Sequence, residues 1–365
     1  MKKLDWYILK KFLSTFFFAI FLFTVIAVVI DISEKADDLV KSQLGVVGII
    51  TQYYFAFIPQ IIGILFPLFV FIAVIFFTSK MAGRSEVIAI LASGTRFNRW
   101  LRPYVVGGVF LASLLWYANN FLIPRTNKMV GAFSAKYFDA NSSYEAISRQ
   151  NGANNLYMKI DSFTYAGIAN YDTGTKRGGP FFMYRVTGNQ LQENLRADNI
   201  YWDVSMKKWK LDGIIRRDIA GLKEKLTPET TRDMDFGFSP ADLNRNKYTK
   251  DVLTTPELKR YVHREEMSGS EGLNELNVEL GRRNATPVTV LLLTLIGAVI
   301  AGRKVRGGSG LHLALGFVIA ALFIITDKFS TVFSTKGNFP PQLAAWTPNI
   351  IFLVVAFFLY RSAPK

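Results

Sequence analysis

Long stretches of this chain carry no charge, and that constrains its fold more than any other feature. Phe12–Ile30 is the first such run, and others cover 42–79, 103–123, 284–302, 307–326 and 337–360. A helix rises about 1.5 Å per residue, so roughly twenty apolar residues match a hydrocarbon core of about 30 Å. A soluble chain would instead scatter its apolar residues at periods of two or 3.6. Half of the residues are hydrophobic and 31 are Phe, more than one globular core could use. Six membrane crossings are therefore expected.

The first run follows Lys2, Lys3, Lys10 and Lys11 and resembles a signal peptide, but it is longer than an ordinary apolar leader core. It also enters the charged stretch 31–38 without a small-x-small cleavage site, so it reads as a retained span. The 42–79 run is too long to cross once as straight helix. The sequence predicts that 44–51 lies near the interface and that Pro59 and Pro67 kink the remainder.

Orientation follows from the basic residues. Lys80, Arg84, Arg96, Arg99 and Arg102, against the single Glu86, place the connection between spans two and three in the cytoplasm. Arg303, Lys304 and Arg306 do the same for the connection between spans four and five. The lysine-rich start and the 361–365 tail agree. With three crossings before Pro124, parity places the long segment after it outside the cytoplasm. Arg282 and Arg283, at the outer end of span four, are an exception to the charge rule; they either tolerate that position or serve an anionic ligand.

The net charge of +15, from 43 basic and 28 acidic residues, is thus mostly a topology signal. No Arg-rich stripe interleaved with aromatics marks a soluble segment, so nucleic acid is not an expected partner. The chain has no Cys and only two His, His263 and His312, so disulfides, thiolate metal sites and imidazole triads are not expected. No G-x-x-x-x-G-K-[ST] loop is present to cradle nucleotide phosphates.

Between about 151 and 226 the pattern alternates as in strands: 156–160, 181–186, 200–204 and 209–215. Gly-rich 172–180 and Ser205–Lys208 supply turns. A sandwich, jelly roll or partly open barrel fits, with Trp202 and Trp209 on facing strands as core. Thr255-Pro256-Glu257 reads as a helix start capped by Thr255, and Ser268–Gly272 as a break between two helical pieces.

Several short words recur at these boundaries. They are Ser79-Lys80-Met81 through Glu86 to Ser93-Gly94, Ile123-Pro124, and Phe238-Ser239-Pro240-Ala241-Asp242-Leu243. Further on come Glu279-Leu280-Gly281-Arg282-Arg283 with Pro287, Arg306-Gly307-Gly308, and Pro340-Pro341 to Trp346-Thr347-Pro348-Asn349. In this order they resemble, nearly end to end, the lipopolysaccharide-transport permease family, the paired F and G subunits (LptF/LptG, also called YjgP/YjgQ).

The resemblance implies a membrane α-helical protein of six transmembrane helices, three and three, with an inserted all-β, jellyroll-like periplasmic domain. Residues 1–123 would hold spans one to three with a cytoplasmic coupling helix within 80–100. Residues 124–255 would form the β domain, 256–283 a helical connection and 284–365 the last three spans. It further implies a non-catalytic permease subunit without a cofactor of its own, ATP being used by a cytoplasmic ATPase homodimer. A second F/G-type permease, periplasmic jellyroll bridge proteins and lipopolysaccharide would be the other partners. Glu86, with Arg84 and Gly94, would form the ATPase-coupling segment, where a lone acid suits a partner arginine. Lys35, Lys41, Arg125, Lys128 and Lys136, at the outer interface, would meet lipid phosphates, although Asp31, Glu34, Asp37 and Asp38 lie close enough to neutralise Lys35. Phe17 and Phe21 of span one and Phe317 and Ile324 of span five would line a lateral gate.

Two other readings stay open at this level. A lipoprotein- or macrolide-type exporter subunit would have four spans and a larger insert. An envelope-lipid enzyme would need a constellation of acids, His or metal, and the outer acidic cluster at 31–38 is more simply a solvated loop. The sequence leaves the depth of Asp327 and Lys328 open: a helix continuing to Val332 would hold them inside the membrane, and one stopping at Thr326, the favoured reading, would leave them at the boundary.

Overall fold

The computed structural model describes residues 3–138, 156–172, 174–188, 190–221, 223–240, 249–267, 272–303 and 308–363. Expectations that fall on Lys2, 151–155, 241–243, 268–271, Lys304, Arg306, Gly307 and 364–365 lie outside the described residues. The chain divides into two compact units: residues 1–131, 251–258 and 274–365 form one, and 132–250 with 259–273 the other.

The first unit is helical. Its elements are α1 Lys3–Glu34, α2 Ala36–Lys41, α3 Val46–Ile49, α4 Phe55–Gly83, α5 Glu86–Ala92 and α6 Phe97–Tyr117. After α7 Ile123–Tyr137 and the inserted domain come α8 Thr249–Val252, α9 Thr255–Met267, α10 Leu273–Ala301, α11 Gly308–Lys336 and α12 Pro341–Arg361, with the end of α7, the start of α8 and most of α9 counted in the second unit. Six stretches of described helix are long and apolar enough to cross a membrane. They are Lys3–Glu34, Val46–Gly83, Phe97–Ser134, Leu273–Ala301, Gly310–Lys336 and Pro341–Arg361.

Two of the spans contain π turns. Ile50–Tyr54 joins α3 to α4, and Ala118–Leu122 joins α6 to α7. The second π turn directly precedes Pro124, which has no N–H to continue the ladder, so the change of register there has a chemical cause. The helix then resumes and runs to Tyr137. Pro59 and Pro67 sit inside one uninterrupted α4, so the irregularity of span two is at its outer start. Span five likewise continues past Thr326 to Lys336, which corrects the expectation that it stops there.

Helix α4 is the centre of the unit: it packs against α1 and against α11, while α1 also meets α6 and α11 meets α12. One cluster joins Phe12, Phe16, Val70, Val74, Trp100, Tyr104, Leu111 and Val290. A second joins Phe71, Ile75, Leu293, Ile296, Ala320 and Phe352. Small residues let the backbones close, as membrane helices require in the absence of a hydrophobic drive between them. A Cβ at Gly107 would lie 2.7 Å from the Phe12 ring, and one at Gly316 2.4 Å from Ile75 Cδ1.

The second unit holds the inserted all-β domain. Its strands are β1 Leu156–Lys159, β2 Thr164–Ile168, β3 Arg177–Gly178, β4 Phe181–Thr187, β5 Gln190–Asp203, β6 Lys208–Ala220 and β7 Lys223–Met234. They form one antiparallel sheet in the order β1-β2-β4-β5-β6-β7, with β3 on β5. Side chains alternate, so one face carries Met158, Ile168, Phe181, Leu195, Ile200, Trp209 and Leu211, closed over by Phe236. Trp202 and Trp209 are directly paired across β5 and β6 with ring centroids 5.1 Å apart. Trp209 is fully buried and its Nε1 donates to the Phe238 carbonyl at 2.8 Å, so the expected tryptophan core is present. Strand β7 is an edge, and its charged sequence and Pro228 suit a strand that must not recruit another.

Truncating Trp209 to Ala empties the centre of this core, and a loss of about 3–5 kcal/mol in the stability of the β domain is expected, read by pulse proteolysis of the full chain. Acid should act on the turns. The Phe163 N–H and then the Thr164 hydroxyl hold the Asp161 carboxyl below its ordinary value, and the Ser205 hydroxyl and Met206 N–H do the same for Asp203. Lowered carboxyls stabilise the fold above the unfolded value of about 4 and lose that effect as pH falls through their folded values. Protection of the β5–β6 turn amides, taken relative to their intrinsic exchange at each pH, should therefore fall below about pH 4, and Asp203→Asn should remove that pH dependence.

Candidate functional site

Charged side chains on an apolar chain are the natural starting point, because each needs a partner, water or a role. They gather in three places in the helical unit.

The first is the connection between spans two and three. Helix α5 is bracketed by left-handed residues, Ser85 at φ 64° and Gly94 at φ 85°. Glycine adopts that backbone freely, whereas Ser85 does so at a cost of roughly 1–2 kcal/mol. Glu86 opens the helix and is half-buried. The Tyr7 hydroxyl donates to its Oε2 at 3.3 Å, and Arg84 Nη1 lies 3.9 Å from its Oε1. Asp5 pairs with Arg99 at 3.4 Å, so the start of α1 is tied both to α5 and to the start of α6. Ile88 remains exposed while Val87 is buried in the main core. Arg84, Glu86 and Gly94 thus fall on one compact, partly exposed segment.

The second place is the outer end of α1. Asp31, read from sequence as part of a solvated acidic loop, is instead buried in the last turn of α1, which corrects that reading. Lys35 Nζ donates to its Oδ1 at 2.6 Å, and the Tyr53 and Tyr54 hydroxyls donate to Oδ1 and Oδ2, each at 3.2 Å. Lys41 is exposed, 3.8 Å from Asp38. Arg125, Lys128 and Lys136 share the exposed stripe of α7 at helical spacing, with Lys136 Nζ 4.8 Å from the Tyr137 ring centroid. The five predicted basic residues therefore divide into one held by a buried partner and four that face solvent.

The third place was only half legible. Arg282 Nη2 donates to Asp327 Oδ2 at 3.2 Å and to Thr331 Oγ1 at 2.6 Å. Arg283 is buried, with Nε 3.3 Å from Glu279 Oε1 and Nη1 donating to the Leu253 carbonyl at 2.8 Å and to Thr255 Oγ1 at 3.1 Å. The charge-rule exception thus has internal partners: Arg282 answers Asp327 of span five, and Arg283 holds the returning chain. Thr255 is committed to Arg283. The helix cap is Thr254, one residue earlier than the sequence suggested, whose N–H and hydroxyl both donate to Glu257 Oε2 at 2.8 and 2.6 Å. Lys328 is exposed among Ile325, Phe329 and Val332.

The comparisons with known proteins bear on the whole chain. The family model "Lipopolysaccharide export system permease LptF/LptG" matches residues 6–362. The chain belongs to this family. It is 21% identical over 359 residues to the lipopolysaccharide export system permease protein LptG of Escherichia coli strain K12, covering 98% of this chain and 97% of that protein. The same values hold for LptG of Escherichia coli O6:H1 strain CFT073.

As an LptF/LptG-type permease the chain is a multi-pass inner-membrane transporter component with a role in lipopolysaccharide export. Its four predicted gate residues, Phe17, Phe21, Phe317 and Ile324, all lie on exposed faces of α1 and α11. Arg283 was noticed from its charge, but its partners Leu253 and Thr255 are distant in sequence and carried no signal. Replacing Arg283 by Met should leave the Leu253 carbonyl without its donor and the Glu279 carboxylate with Arg282 alone, at 3.9 Å, lowering stability by about 1–3 kcal/mol in mixed-micelle unfolding.

Proposed function

We propose that this chain is one of two related permease subunits of an ATP-driven exporter that extracts lipopolysaccharide from the inner membrane and passes it to a periplasmic bridge. The subunits would enclose a cavity for acyl chains, with Lys35, Lys41, Arg125, Lys128 and Lys136 at its outer rim meeting the headgroup phosphates. Guanidinium and ammonium groups suit that work through charge-assisted hydrogen bonds. Phe17, Phe21, Phe317 and Ile324 would border the lipid's lateral way in. ATP would be hydrolysed by a cytoplasmic ATPase homodimer, and the β domain, delivered to the periplasm by three crossings, would receive the lipid.

The observation that carries this reading is α5. A seven-residue helix lies between two spans, both of its ends need left-handed backbone, and its one acid is held half-exposed by Tyr7 and Arg84. A segment built in this way can pass a displacement to α1 through Tyr7 and to α4 through the residues just before it. A four-span exporter fits less well with six apolar helices.

Charge reversal tests the coupling role. Glu86→Arg should reduce co-purification of the ATPase with the permease pair by more than about tenfold, since breaking a desolvated interfacial charge pair costs about 2–5 kcal/mol. Unaltered assembly and unaltered lipopolysaccharide release would remove Glu86 from that role.

A further inference from the structure

The Asp31–Lys35 pair is unequal in its access to solvent. The side chain of Asp31 is 8% exposed and that of Lys35 32%, so the lysine is the partner with surface open to its surroundings and the carboxylate is the one enclosed. Lys35 also makes a hydrogen bond with the Tyr53 hydroxyl and lies 5.0 Å from the Tyr53 ring centroid and 5.5 Å from that of Phe57. The carboxylate has two further donors, Tyr53 and Tyr54, one on each oxygen. Adjacent residues on an α-helix point about 100° apart, and the wider π turn at 50–54 narrows that angle, letting consecutive tyrosines converge on one group. A buried carboxylate that loses a lysine ordinarily stands as an uncompensated charge. Here it would keep two hydroxyl donors.

We propose that Asp31 is a built-in counter-anion for Lys35. It holds the ammonium while the site is empty and yields it to the phosphate of an arriving lipid headgroup, after which the tyrosine hydroxyls carry the carboxylate. This rests on the reading of Lys35 as a phosphate ligand. Two consequences follow from the geometry. Neutralising Asp31 removes the competitor, so phosphorylated lipid binds more tightly. Removing the Tyr54 hydroxyl leaves Asp31 more dependent on Lys35, so the same lipid binds more weakly.

The test uses the full chain in phosphatidylcholine nanodiscs, with diphosphoryl lipid A, dephosphorylated lipid A and inorganic phosphate as probes. Asp31→Asn should bind diphosphoryl lipid A about three- to tenfold more tightly, and Tyr54→Phe about two- to threefold more weakly. Lys35→Gln should bind it weakly, with or without Asp31→Asn, and dephosphorylated lipid A should respond to none of these changes. If Lys35→Gln weakens binding but Asp31→Asn gives no gain and Tyr54→Phe no loss, the counter-anion role falls while the phosphate role of Lys35 stands. If Lys35→Gln changes nothing, the phosphate reading itself falls, and the proposal with it. Inorganic phosphate bound as tightly as the lipid would overturn the assignment to a headgroup.

Discussion

The membrane unit depends on how closely α4 can approach its neighbours. In lipid, apolar surface gains little by leaving one hydrocarbon environment for another, so helix association rests on packing and on the few polar contacts available. Helix α4 meets the first half of the chain through α1 and the second half through α11, and the second approach is set at Gly316, where Ile75 occupies the space a Cβ would need. A larger residue there would have to displace the Ile75 δ-methyl, so the close approach of α11 to α4 is fitted around that one side chain.

The polar contacts fall where this packing leaves off. Thr289 and Ala285 bind Asn349 across α10 and α12, and the Ser330 hydroxyl donates to the Ala344 carbonyl between α11 and α12. Toward the helix ends the links become charged: Asp31 with Lys35, and Arg282 with Asp327. Near the start of α1 they are Asp5 with Arg99 and the Tyr7–Glu86 hydrogen bond. Each charged link joins segments distant in sequence or fixes a turn. Replacing one by apolar residues could leave the unit as stable, so their retention points to geometry more than to stability.

The sequence disclosed most of the spans because uncharged length is a one-dimensional signal that no tertiary context can disguise. The strands with apolar alternation, such as β4 and the Trp-bearing parts of β5 and β6, were legible for a similar reason. Strand β7 was not, because an exposed edge of Lys, Glu, Thr and Arg has no apolar face to announce it. The π turns were missed because the first holds no residue that announces it, and a proline such as Pro124 marks a break in the ladder without saying which register replaces it. Asp31 and Arg283 were misjudged or half-judged for one shared reason: burial of a charge depends on which remote group answers it. Tyr53, Tyr54, Leu253 and Thr255 are ordinary residues until the fold brings them there.

The exposed faces of α1 and α11 complete the physical picture. Phe17, Phe18, Phe21 and Leu22 on one helix, and Phe317, Val318, Leu322, Ile324 and Ile325 on the other, project from the two spans that flank the α4 core. In water such surface would aggregate; in a bilayer it is solvated by acyl chains at little cost. The same faces therefore mark where this unit meets whatever surrounds it in the bilayer. Lys328 is exposed on α11 beside Phe329 and Val332, and in a membrane its flexible stem must carry the ammonium to water or to a polar partner.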